Sequence, residues 1–150
     1  MTTIRSAQSS DREPLARMRH ALWPDGSIEE HTSELDVFFA GGWPGAYPYA
    51  ILVAEGAELE GFAEVNVRSY ADGCDPAHAV GYLEGWFVVE EKRGRGIGAA
   101  LLRAAEDWAR AQGCVEMASD TWITNEGSQR AHEALGYEEV DRVVVYRKTL

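Results

Sequence analysis

Residues 82–98 constrain this chain more than any other stretch: Tyr82-Leu83-Glu84-Gly85-Trp86-Phe87-Val88-Val89-Glu90-Glu91-Lys92-Arg93-Gly94-Arg95-Gly96-Ile97-Gly98. The aromatic and β-branched run from Tyr82 to Val89 has the composition of a strand. Lys92, Arg93 and Arg95 follow, interleaved with three glycines. Ile97, Leu101, Ala104, Ala105 and Trp108 then fall on one stripe of a 3.6-residue period, the mark of an amphipathic helix. Strand, basic turn and helix in direct succession call for layered sheet and helix.

The turn between them has a chemical meaning. Glycines let the backbone approach a ligand closely and adopt conformations closed to other residues. The first amides of a helix have no intrahelical acceptor and carry partial positive charge. The two together form an anion site suited to phosphate or pyrophosphate. Two readings compete. Gly94-Arg95-Gly96-Ile97-Gly98-Ala99 fits the G-x-G-x-x-A dinucleotide fingerprint. That fingerprint sits directly on a strand end, whereas Glu90-Glu91-Lys92-Arg93 intervenes here. The expected ribose-binding acid is ambiguous between Glu116 and Asp120. The second reading is Arg-x-x-Gly-x-Gly, filled by Arg93, Gly96 and Gly98.

This second pattern resembles the acyl-CoA pyrophosphate loop of the GNAT superfamily of N-acetyltransferases. Tyr82 to Val88, Ala105-Glu106-Asp107-Trp108-Ala109, Ala118-Ser119-Asp120 and Ala131-His132-Glu133-Ala134-Leu135-Gly136-Tyr137 are similar, in that order, to its aminoglycoside 6′-N-acetyltransferases. The resemblance runs from about Tyr70 to the C-terminus and extends to Leu22-Trp23.

Along the chain, Thr3 to Ala7 reads as a strand, and Asp11 to Leu22 as a helix begun by Ser9-Ser10-Asp11. Ser27 is placed to cap a helix from Ile28 to about Ala40. Residues 41–48 read as a loop rich in glycine, proline and aromatics. Strands are expected over Tyr49 to Glu55, Leu59 to Tyr70, Ala79 to Val89 and Val115 to Thr121. Helices are expected over Gly94 to Gln112 and Asn125 to Leu135, each closed by a glycine. Glu139 to Thr149, with Val140, Val143, Val144, Val145 and Tyr146, reads as a last strand. The order β-α-α-β-β-β-α-β-α-β describes one α/β domain over residues 1–150, and the resemblance implies that it is a single N-acetyltransferase domain, whose order is the same. The expected α/β fold has helices on both faces of a mixed, mostly antiparallel sheet of about six to seven strands.

The net charge of −11 disfavours nucleic acid and anionic membranes and attracts polycations. No run approaches a membrane span and Met1 to Ser6 has no signal-peptide core, so the protein is expected in the cytoplasm. Cys74 and Cys114 lack metal spacing, and the four histidines suggest neither a metal site nor a triad. No metal is expected.

Acetylating an amine requires a neutral nitrogen, a positioned thioester carbonyl with its developing oxyanion stabilised, and a stabilised leaving thiolate. The resemblance implies acetyl-CoA as co-substrate and backbone amides of Trp86, Phe87 and Val88 facing it. Arg93, Gly94, Arg95, Gly96, Ile97, Gly98 and Ala99 would bind its pyrophosphate, and Asn125 would contact CoA. Gly85 within the strand fits a bulge, a close ligand or a packing contact. Glu84 is the candidate to hold the acceptor ammonium and take its proton, with Asp120 the second carboxylate. Trp23, Tyr70 and Asp141 fall where the family has acceptor-binding residues, and aromatic faces suit ammonium groups. Tyr137 and Tyr146 are available as a general acid, with neither assigned. The implied acceptor is an aminoglycoside or another polycationic small amine, and the implied assembly a homodimer.

Overall fold

The computed structural model describes residues 1–43, 45 and 47–150, so the loop expected over 41–48 lies partly outside the described residues, at Pro44 and Ala46. Five strands form one sheet in chain order: β1 (Thr3–Ser6), β2 (Tyr49–Glu55), β3 (Leu59–Arg68), β4 (Val80–Val88) and β5 (Met117–Ser119). The first four pair antiparallel, and β4 pairs parallel with β5. Helices α1 (Arg12–Leu22) and α2 (Ile28–Phe39) follow β1. Helix α3 (Ile97–Ala111) joins β4 to β5, and α4 (Glu126–Ala134) follows β5.

Each strand signal in the interior sorts its side chains onto two faces. Ile51, Val53 and Phe62 pack with Leu15, Met18 and Leu35 of α1 and α2. Leu52, Ala63, Val65 and Leu83 pack with Ile97, Leu101, Leu102 and Ala105 of α3. Burying both faces removes enough apolar surface to hold the sheet between two helical layers. The local signals also work as expected. Ser27 Oγ accepts from the Glu30 amide at 3.1 Å while Glu30 Oε2 accepts from the Ser27 amide at 2.9 Å, closing a capping box at the start of α2.

The last expected strand does not form. From Glu138 onward the chain has no regular element, and Val140, Val143, Val144, Val145 and Tyr146 stand 62–88% exposed. Valines favour an extended backbone, but a strand also needs a neighbour to satisfy its amides, and none pairs with this segment among the described residues. Among the described residues the sheet accordingly has five strands rather than six or seven.

Candidate active site

The site is organised by one irregularity in β4. Gly85 lies opposite Glu64, yet Leu83 lies opposite Val65, so Glu84 is an extra residue in the ladder. This is a β-bulge, and it changes which way β4 faces. Before it, Leu83 points to the α3 layer; after it, Trp86 and Val88 do, while Phe87 and Val89 turn to α1 and α2. Gly85 serves both the bulge and a packing contact: a Cβ there would stand 2.6 Å from Trp23 Cη2. The indole of Trp23 thus lies directly on the strand beside Glu84. It also packs edge-on to Phe62 and stacks near His31.

The bulge equally reorients the backbone. The Val89 amide donates to the Glu60 carbonyl at 2.9 Å, which directs Val89, and by alternation Phe87, toward β3. Trp86 and Val88 must direct their amides the other way. The Val88 carbonyl, on that same side, accepts from Arg93 Nε at 2.8 Å. Strand β5 pairs with β4 only at Gly81, Tyr82 and Leu83. Past Leu83 a gap opens between the strands, and the Trp86 and Val88 amides look into it. Phe87 is a correction to the expected amide donors: its backbone is used by the sheet.

The gap leads to the glycine-rich loop. A short 3₁₀ turn, Glu90–Lys92, precedes Gly94 and Gly96, whose φ values of 73° and 82° lie in the left-handed region that favours glycine. Ile97 is buried and anchors α3, whose first intrahelical bond runs from the Ala100 amide to the Gly96 carbonyl at 3.0 Å. The amides of Ile97, Gly98 and Ala99 are left without intrahelical acceptors. Trp86 Nε1 donates to the Gly98 carbonyl at 2.9 Å and ties the loop to β4. Arg95 is exposed and has no ion pair among the described residues, whereas Lys92 is held 3.0 Å from Glu60 and turned from the loop. Free amides, left-handed glycines and two available guanidinium groups fit a pyrophosphate. Asn125 caps α4 by accepting from the Ser128 amide at 3.1 Å, which leaves its side-chain NH₂ for another acceptor.

On the opposite face of the sheet lies a polar cluster. Glu84 accepts from Arg68 Nε and Nη2, both at 2.8 Å. The Arg68 guanidinium lies 3.4 Å above the centre of the Tyr82 ring, and the Tyr82 hydroxyl donates to Asp120. Glu84 and Asp120 are therefore linked through Arg68 and Tyr82. Burial and the Asp120 carboxylate push the Tyr82 hydroxyl well above its ordinary range, so it stays a donor. Beneath this cluster, Glu64 is 1% exposed and accepts from Tyr49 Oη at 2.7 Å, with Arg19 Nη1 at 3.2 Å. Desolvation pushes the Glu64 carboxyl upward.

Tyr70 and Asp141 belong to a second patch. The Tyr70 hydroxyl donates to Asp72 at 3.1 Å, and the hydrogen bond with charge from Asp72, and less strongly Asp141, raises its pKa. The C-terminal segment reaches this patch because Val140 packs on Gly73, where a Cβ would stand 2.6 Å away. No hydrogen bond joins the two patches among the described residues. Neither tyrosine considered as a general acid is brought to the gap by a hydrogen bond: Tyr137 donates to Glu106 at 3.0 Å, and Tyr146 is 88% exposed.

Arg68 and Tyr82 were not among the expected site residues. A signal existed: Glu64, Asn66 and Arg68 make a polar row on one face of a strand otherwise built for a core. His132 is a structural histidine: its Nδ1 donates to the Ser128 carbonyl at 2.7 Å, its Nε2 lies 2.8 Å from Ser119 Oγ, and its ring stands edge-on to Trp86.

Residues 15–137 match the acetyltransferase (GNAT) family. A relative from Klebsiella aerogenes named aminoglycoside N(6′)-acetyltransferase type 1 is 44% identical over 98% of this chain and 96% of its own. One of the same name from Serratia marcescens is 44% identical over 89% of each. A solved structure of AAC(6′)-Iy with the bisubstrate analogue CoA-S-monomethyl-acetylneamine superimposes with a TM-score of 0.88 at 34% identity, covering 100% of this chain and 99% of that one.

Proposed function

The chain belongs to the acetyltransferase (GNAT) family, and from that premise we propose that it transfers an acetyl group from acetyl-CoA to the 6′-amine of an aminoglycoside, by direct attack in a ternary complex. Acetylation removes a positive charge from the drug and adds bulk, so the expected consequence is antibiotic resistance. The observation that carries this reading is the bulge at Glu84, which sets backbone donors on one side of β4 and an acidic, aromatic cluster on the other.

Acetyl-CoA supplies an acyl group activated as a thioester. The amides of Ile97, Gly98 and Ala99, with Gly94, Gly96, Arg93 and Arg95, hold its pyrophosphate, and Asn125 adds a contact. The Trp86 and Val88 amides line the pantetheine and receive the carbonyl oxygen as it gains negative charge. Glu84 holds the acceptor ammonium and takes its proton, directly or through water. The neutral nitrogen then attacks the carbonyl carbon; as the N–C bond forms and the C–S bond breaks, sulfur leaves with the electron pair and takes up the second proton shed by the nitrogen, giving the amide and the free thiol of CoA. Asp120 provides a second carboxylate, while Trp23, Tyr70 and Asp141 contact the aminoglycoside rings and their other ammonium groups. The polycationic acceptor also suits the −11 net charge.

We read residues 1–150 as one catalytic domain working in the cytoplasm; no helix among the described residues is long and apolar enough to cross a membrane. The exposed valines of 140–145 support a homodimer in which this segment adds to a partner's sheet. Sedimentation of the full chain against one ending at Glu138 tests this: a dimer that becomes a monomer is expected, and a full-length monomer would rule it out.

The reaction is tested by thiol release from acetyl-CoA with kanamycin, tobramycin, spermidine and a peptide N-terminus. Release with both aminoglycosides, and none with derivatives lacking the 6′-amine, is expected. Release only with spermidine or peptide would keep the acetyltransferase and overturn the aminoglycoside reading.

A further inference from the structure

We propose that Arg68 is a tethered stand-in for the acceptor's ammonium group: it occupies the Glu84 site in the free protein, must be displaced for Glu84 to bind the acceptor, and so sets an affinity threshold that the further charges of a polycation clear and a single ammonium does not. This inference rests on the acceptor reading given above.

Arg68 satisfies all the requirements an ammonium on a sugar ring would place on this cluster. It gives Glu84 two charge-assisted hydrogen bonds and lies over the Tyr82 ring, 3.4 Å from its centre. Tyr82 in turn is held by Asp120. Yet Arg68 is the last residue of β3, and its side chain is 41% exposed against 21% for Glu84. An arginine at a strand end, half in solvent, can swing away without breaking the ladder. The buried arginine of the neighbouring pair, Arg19, cannot: it is 4% exposed and fixed between Glu34 and Glu64.

Exchange of one cation for another never leaves Glu84 half-buried and unpaired, which is the costly state for a carboxylate. It also sets a threshold. A tethered partner competes at an effective concentration on the order of millimolar. A single ammonium offers little beyond what Arg68 already gives. A polycation brings further charges for Asp120 and for the Asp72–Asp141 patch, contacts Arg68 cannot make, and these drive the displacement.

The test compares binding of neamine, a polycation, with 6-amino-6-deoxyglucose, a monocation, by calorimetry in the wild type, Arg68→Met and Arg68→Lys. Wild type is expected to discriminate strongly. Arg68→Met is expected to tighten both ligands by the same factor, about tenfold, the scale of a lost charge-assisted pair, because the competitor is removed for each alike. Arg68→Lys, which keeps the charge but loses the fork, is expected to fall between. Unchanged or weaker binding of the two ligands in Arg68→Met would overturn the proposal and make Arg68 a fixed support. Circular dichroism of each variant establishes that the fold is intact; if Arg68→Met is unfolded, Arg68→Lys alone decides by the same two affinities. Thiol release with neamine is measured separately on the wild type. Its absence alongside affinities that respond to Arg68 would overturn the reaction while leaving the exchange standing.

Discussion

Replacing Gly85 by Ala tests how Trp23 and the bulge depend on each other. The added Cβ would stand 2.6 Å from Trp23 Cη2 and 2.7 Å from Cζ2, where ordinary contacts begin at 3.4 Å. The indole must retreat by nearly an ångström. Its freedom is limited, because the Trp23 amide donates to the Arg19 carbonyl at 2.7 Å and its carbonyl contacts His31 Nε2 at 3.0 Å. The ring itself is bounded by Phe62 and by the Arg19 guanidinium 5.3 Å from its centre. Overpacking of this kind costs about 2 kcal/mol. For a chain of this length that lowers the melting temperature by roughly 4–8 °C. Because Trp23 lies beside Glu84, KM for the aminoglycoside should rise while that for acetyl-CoA stays unchanged. The decisive assay is a double-mutant cycle with Trp23→Phe, which deletes the two clashing ring atoms. The double variant should be more stable than the sum of the single losses implies, by about 1 kcal/mol or more. Simple additivity, or a Gly85→Ala protein with wild-type melting and KM, would refute the argument.

Glu84→Gln should lower turnover at neutral pH roughly a hundredfold or more without weakening acetyl-CoA binding; equal turnover in steady-state assays would remove Glu84 from the mechanism. Trp86→Phe deletes the donor to Gly98 and should weaken acetyl-CoA about fivefold, the value of one hydrogen bond, with calorimetry as the check. Asp11 accepts from Arg5 at 2.7 and 3.0 Å, which holds its carboxyl below the ordinary 3.8. The stability it confers is present above that unfolded value and is lost as pH falls through the lower folded one. Asp11→Asn should therefore flatten the acid limb of stability against pH in urea titrations, and a limb as steep as wild type would exclude the pair as its source.

The glycine loop was legible in sequence because its chemistry is local: Gly94 and Gly96 need a backbone conformation other residues avoid, and Ile97 begins a helical stripe at once. Ser27 and Glu30 were legible for the same reason. Arg68 was not, because its meeting with Glu84 depends on an extra residue in the ladder that no count of alternation discloses. The row Glu64, Asn66, Arg68 was visible, but not what it faced. Val140 to Tyr146 misled in the opposite way. Their preference for extended backbone is real, but among the described residues no strand pairs with them, and propensity says nothing about a missing neighbour.

Two parts of β4 run out of phase. Up to Leu83 odd positions belong to the α3 core, and from Trp86 even positions do. Removing Glu84 would restore plain alternation with Leu83 and Trp86 still on the α3 face and Phe87 still toward α1, so both layers would survive and the carboxylate that meets Arg68 would be lost. The extra residue at 84 is thus held by the chemistry of the site and not by the packing of either layer. The loop between Arg68 and Val80, which belongs to neither core phase, is where such a protein can lengthen or shorten to meet a different acceptor.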